Sequence, residues 1–126
     1  MNIREIRVTD LEQIQEIHER FYKTEFCLPD FTANFLCAFV VEHHDRIVLA
    51  GGLKKQVELV YVTDKDFSRR ERRTALYKGL DVAKYLASRN GYDQLHAFIQ
   101  DHKWLEVMEK RGFNHCNGTA IYTGVA

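Results

Sequence analysis

The sequence predicts a mixed α/β fold in which a mostly antiparallel central sheet is flanked by helices. Three observations lead there: short stretches that alternate apolar and polar residues, longer stretches with apolar residues three and four apart, and turn signals between them. Their order reads β-α-loop-β-β-β-α-β-α-β-β. The chain has 126 residues, the size of one domain with one core, so residues 1–126 are expected to form a single unit.

Ile3 to Val8 alternates well enough for a first strand. Thr9 and Glu12 have capping-box spacing, and Leu11, Ile14, Ile17, His18 and Phe21 then form one helical stripe. The stretch Tyr22–Leu36 is aromatic, irregular and holds the only proline, which predicts a loop with room for one short helix. Ala38–Glu42 and Ile47–Ala50 flank the polar turn His43-His44-Asp45-Arg46 and read as a hairpin. The adjacent histidines point in different directions and have no ligand-spaced partner, so no metal site is expected there.

Gly51-Gly52 leads into Val57–Val62, a strand rich in β-branched and aromatic residues. A long helix follows, with Leu76, Leu80, Ala83 and Ala87 on one face, Leu86 beside them, and Asn90-Gly91 as its stop. Leu95–Ile99 reads as the next strand. Asp101 caps a helix to Arg111 that Gly112 ends, and Asn117-Gly118 signals a final hairpin between His115-Cys116 and Thr119–Tyr122.

Composition excludes several classes. Lys plus Arg and Asp plus Glu balance at 18 each, so general attraction to a nucleic-acid backbone is not expected. Cys27, Cys37 and Cys116 are odd in number and form no CxxC pair, which predicts buried thiols rather than a disulfide framework or zinc knuckle. No apolar run approaches the ~20 residues of a membrane span, and the charged start MNIREIRVTD does not resemble a signal peptide. A cytoplasmic protein is the expectation, with no membrane partner.

Against that neutral background, Ser68–Leu76 (SRRERRTAL) places four arginines in five positions. Three readings are open: a nucleic-acid patch, a solvated helix start, or a phosphate-binding turn. The N–H groups at a helix start and the positive end of its dipole attract phosphate, and guanidinium groups add a fork of donors. Ser68 and Glu71 also have capping-box spacing, which would use some of the same donors.

The element order, the strand ending VYV, the basic turn opening a helix, and Glu109-Lys110-Arg111-Gly112-Phe113 together resemble the GNAT family of acetyl-CoA-dependent N-acetyltransferases across nearly the whole chain. In that family the turn has the form Gln/Arg-x-x-Gly-x-Gly/Ala. Here Ser68 stands at its leading position, Glu71 and Arg73 stand at its glycines, and Met108 replaces the common tyrosine of the second landmark.

The resemblance implies direct transfer of acetyl from acetyl-CoA to an amine, with no covalent enzyme intermediate. It implies cofactor contacts from Val62, Thr63, Ser68, Arg69, Arg70, Arg72, Arg73, Thr74 and Asp101. Glu58 becomes the candidate base and Tyr122 the candidate acid, with Tyr61 as the alternative phenol. Phe26 and Phe31, on the irregular loop, become candidate substrate contacts. Trp104 reads as a core or cofactor-flanking aromatic. The expected partners are acetyl-CoA and an amine on a small molecule or protein, with a homodimer left open. The alternative reading is a GNAT-like binding module that has lost its chemistry, followed by a nucleic-acid-binding arginine turn.

Overall fold

In a computed structural model describing all residues from Met1 to Ala126, β1 (Asn2–Glu5) opens a sheet of order β1-β2-β3. β2 (Phe35–His43) lies between β1 and β3 (Arg46–Lys54), antiparallel to both. The first strand is shorter than its alternation suggests. Ile6 N–H still donates to the Ala38 carbonyl, but Arg7 N–H turns to the Asp10 carboxylate at 2.7 Å, and the chain enters a 3-10 turn over Val8–Asp10.

That turn runs directly into α1 (Leu11–Phe21). Its start is therefore organised by Asp10 rather than by Thr9 and Glu12. The reason is a tertiary ion pair. Both terminal nitrogens of Arg4 donate to Asp10 at 2.7 Å, and Arg4 Nε donates to Glu42 Oε1 at 2.7 Å, tying β1 and β2 to the helix entry. Asp10 is the one buried charged residue, and hydrogen bonding from Arg4 outweighs its desolvation and lowers its pKa to about 2.

Leu11, Ile14 and Ile17 lay the predicted stripe over the sheet, where Ile14, Val40 and Ile47 form the core. Leu28 and Phe31 fold back onto the same cluster, so Tyr22–Asn34 is an irregular covering loop without a helix. The hairpin forms as predicted but is longer. His44 and Asp45 adopt φ of 50° and 62°, the left-handed pair that a two-residue turn needs to match strand twist. β3 also continues through Gly51-Gly52 instead of breaking there. At Gly52 a Cβ would collide with the Cys37 carbonyl oxygen, beside a bulge at Leu36, so only glycine keeps this close approach.

Beyond Lys55 the expected sheet does not continue. Val57–Val62 and Leu95–Ile99 meet in a single parallel bridge between Glu58 and His96: Leu59 N–H donates to His96 O at 2.7 Å, and His96 N–H to Val57 O at 3.0 Å. The segments then diverge, so neither becomes a regular strand. α2 (Arg69–Arg89) and α3 (His102–Lys110) form where predicted. Leu76, Leu80 and Ala87 are buried on α2, and Gly91 and Gly112 end the helices at positive φ.

The Asn117-Gly118 hairpin is absent. The chain only bends there, and with no neighbouring ladder to extend, Ile121 and Tyr122 stand in solvent. The fold is thus mixed α/β with a three-stranded antiparallel sheet and three helices. The cysteines also differ from expectation: all three are free and exposed. Cys27 and Cys116 lie on irregular segments, and Cys37 sits on the sheet face opposite buried Val40.

Candidate functional site: an apolar cleft beside a basic helix start

Where the two extended segments separate, they leave a cleft of about 230 Å³. Leu59, Tyr61 and Thr63 reach it from one segment at strand-like spacing of two, while Val60 and Val62 point outward and are exposed. Ala97 to Asp101 line the other wall, Leu76 comes from the first turns of α2, and Trp104 and Met108 from α3. Eight of its eleven lining residues are hydrophobic, so the cleft suits an apolar chain or a small acyl group rather than a charged head.

Tyr61 gives the cleft its one phenol. Its hydroxyl crosses onto α2 at Gly79, where a Cβ would stand 3.1 Å away, so the helix glycine makes room for the ring. Burial pushes the Tyr61 phenol above its ordinary pKa. It therefore remains protonated at neutral pH and able to donate.

Thr63 leads through the turn 64–67 to the basic helix start. Here the capping box is closed: Ser68 N–H donates to Glu71 Oε2 at 2.9 Å, and Glu71 N–H to Ser68 Oγ at 3.1 Å. Arg72 N–H already joins the helix ladder through Ser68 O, which leaves Arg69 and Arg70 N–H as the free donors of this end. Arg69, Arg70 and Arg73 are exposed, whereas the Arg72 Nε is shielded from solvent without a partner in the chain. Thr74 spends its hydroxyl on its own helix, donating to Arg70 O at 3.1 Å.

The remaining predicted residues divide between the cleft and other parts of the molecule. Asp101 borders the cleft but is engaged as the α3 cap, accepting from Lys103 and Trp104 N–H at 2.8 and 3.3 Å. Those bonds hold its pKa below the ordinary carboxylate range. Glu58 contributes its backbone to the bridge, while its side chain is exposed and lies outside this cleft, bordering instead a separate, mostly apolar depression with Val57, Val60, Ala83 and Leu86. Tyr122 is fully exposed on the C-terminal segment and does not join the cleft.

Phe31 packs on the N-terminal core, with its ring 5.2 Å from that of Phe35, and Phe26 sits edge-on to His18. Both therefore have packing partners at the ends of the loop, on α1 and at the start of β2. His18 Nε2 lies 2.6 Å from Phe26 O, at the exposed edge of the stripe. No three His, Cys, Asp or Glu side chains converge on one point.

Sequence reasoning gave Tyr61 second place behind Tyr122. Its signal was present in the spacing of Leu59, Tyr61 and Thr63, which puts all three on one face of an extended chain. No family profile, curated protein or solved structure matches the chain. No helix is long and apolar enough to cross a membrane.

Proposed function

We propose that the chain binds acetyl-CoA and transfers its acetyl group to an amine, in the manner of the GNAT family that its sequence resembles. The observation that carries this reading is the apolar cleft between diverging segments, lined by Thr63 a few residues before the arginine-rich start of α2 and by Leu76 within that helix. A thioester donor has this bipartite chemistry: an apolar acyl and pantetheine arm at one end and a polyanionic pyrophosphate at the other. The cleft accepts the arm. Arg69 and Arg70 N–H with the exposed guanidiniums of Arg69, Arg70 and Arg73 accept the phosphates.

In the reaction the amine, once deprotonated, attacks the thioester carbonyl, the C–N bond forms, and the C–S bond breaks to release the coenzyme thiolate. Tyr61, protonated and at the cleft, is the side chain suited to return a proton to that thiolate. It takes the acid role in preference to Tyr122. Glu58 does not line this cleft, so water at its mouth removes the amine proton.

A second reading, a coenzyme-binding module without catalysis, is favoured by the closed Ser68–Glu71 box, which occupies part of the phosphate-binding end. The two are separable. Trp104 is the single tryptophan and lines the cleft, so its fluorescence reports occupancy alongside calorimetry. Acetyl-CoA is expected to change that emission saturably, with affinity reduced about tenfold by Arg70→Ala or Arg73→Ala. No binding by the wild-type chain rejects both readings. Binding with no acetyl transfer to a panel of primary amines selects the module, and transfer slowed in Tyr61→Phe with affinity retained selects the enzyme with Tyr61 as acid.

A further inference from the structure

On the opposite side of the Glu58–His96 bridge lies a larger cleft, of about 590 Å³, walled by the last turns of α2, the segment 92–96 and the chain after α3. Its volume falls within the range of small-molecule sites. Its lining differs in kind from the apolar cleft. Lys84, Ser88, Asp93, His96, Arg111 and Asn114 all border it, and Lys84, Asp93 and Arg111 form no ion pair with any residue of the chain. Two unpaired cations against one unpaired carboxylate leave the cleft positive.

Two details make this more than a charged depression. The Arg111 guanidinium carbon lies 3.4 Å from the centroid of the Tyr77 ring, so the group is stacked and its donors have no acceptor in the chain. A stacked guanidinium presents its N–H fork outward along its edge, the arrangement that grips an oxyanion with two parallel bonds. Second, His96 Nδ1 is buried and has no hydrogen-bond partner, although the main-chain N–H and carbonyl of the same residue are both engaged in the bridge. A shielded polar atom without a partner carries a desolvation penalty, which is relieved when the ring turns that nitrogen to a ligand group in the cleft.

We infer that this cleft is a second binding site, for a small organic molecule bearing a phosphate or carboxylate, with Arg111 and Lys84 holding the anion and His96 bonding a neighbouring polar group. The site is independent of acetyl-CoA binding and stands whether or not that reaction occurs. Phosphate and carboxylate share the planar or near-planar oxygen pair that the Arg111 fork recognises, and Asp93 favours a ligand that also carries a hydroxyl or amine donor.

The test is NMR of the six histidine rings during titration with inorganic phosphate and, separately, succinate, with His96 assigned by His96→Gln. One probe or both are expected to move the His96 signal along a saturable curve. Saturation by phosphate alone marks a phosphate-bearing ligand, and by succinate alone a carboxylate. Lys84→Met removes only an exposed charge, and Arg111→Lys keeps charge and stacking reach but loses the fork. Each is expected to weaken binding about tenfold with an unchanged circular dichroism spectrum. A linear drift of all six rings with salt, or variants that titrate like the wild type, overturns the inference. So does loss of acetyl-CoA binding in Lys84→Met, which would merge the two clefts into one site.

Discussion

Residues 1–55 and 56–126 solve the same problem in different ways. The first part has an antiparallel sheet, a helix across it and a partly buried set of ion pairs that links β1, β2 and the start of α1. The second has two well-capped helices, yet its extended segments touch through one bridge. In the first, long-range contacts define the structure, while in the second, local hydrogen bonds do most of the defining. The larger clefts lie in the second part because incomplete pairing leaves room between segments. The first part has its strands fully paired and its core filled by Ile14, Val40 and Ile47.

The sharpest way to break this contrast is Arg4→Ala. It leaves the Asp10 carboxylate buried without its partner, an uncompensated charge that destabilises the sheet and the start of α1. Urea unfolding followed by amide exchange should show β1–β3 losing protection first, with α2 changed less. Equal loss across both parts would mean that they unfold as one cooperative unit.

Acid gives a milder version of the same test. The Asp10 pKa falls from 3.8 to about 2 on folding, so its stabilisation is complete above pH about 4 and is lost as pH drops through about 2. Glu42, lowered by the same Arg4, acts in the same direction. The Asp10 share is about 1–2 kcal/mol. In Asp10→Asn the decline in stability between pH 4 and pH 2, measured by urea midpoints, should be shallower than in the wild type. An identical slope would remove Asp10 from this account.

The smallest effect belongs to the second part. Ser68→Ala removes one side of the α2 capping box and should cost about 1 kcal/mol, read as fraying of the first helical turn in amide exchange with no change in β1–β3. If the sheet responds as strongly as the helix start, the two parts are coupled more tightly than their contacts indicate.

The sequence was most legible where structure is local. Ser68 with Glu71, Asp101 with Trp104 N–H, and Gly91 and Gly112 at the helix ends are all signals read within four residues, and each formed. The His44-Asp45 turn formed as well, because a two-residue loop brings its own strands together. The apolar stripe Leu11, Ile14 and Ile17 was equally plain from spacing alone.

Strand propensity misled where a partner was required. Val57–Val62, Leu95–Ile99 and the residues around Asn117-Gly118 have strand-like composition, but a strand exists only through its neighbour, and loop closure must be overcome before distant pairing gains anything. The same limit hid the site. Arginines at 69–73 were visible at once, whereas the clefts, the choice of Tyr61 over Tyr122 and the burial of His96 Nδ1 depend on which distant segments meet. The amino-acid sequence determined the helices, the caps of α2 and α3 and the His44-Asp45 hairpin, since those arise from hydrogen bonds between near neighbours. Only the tertiary structure decided how far the sheet extends, why Asp10 rather than Thr9 begins α1, and where a ligand would find room, because each rests on groups brought together from remote parts of the chain.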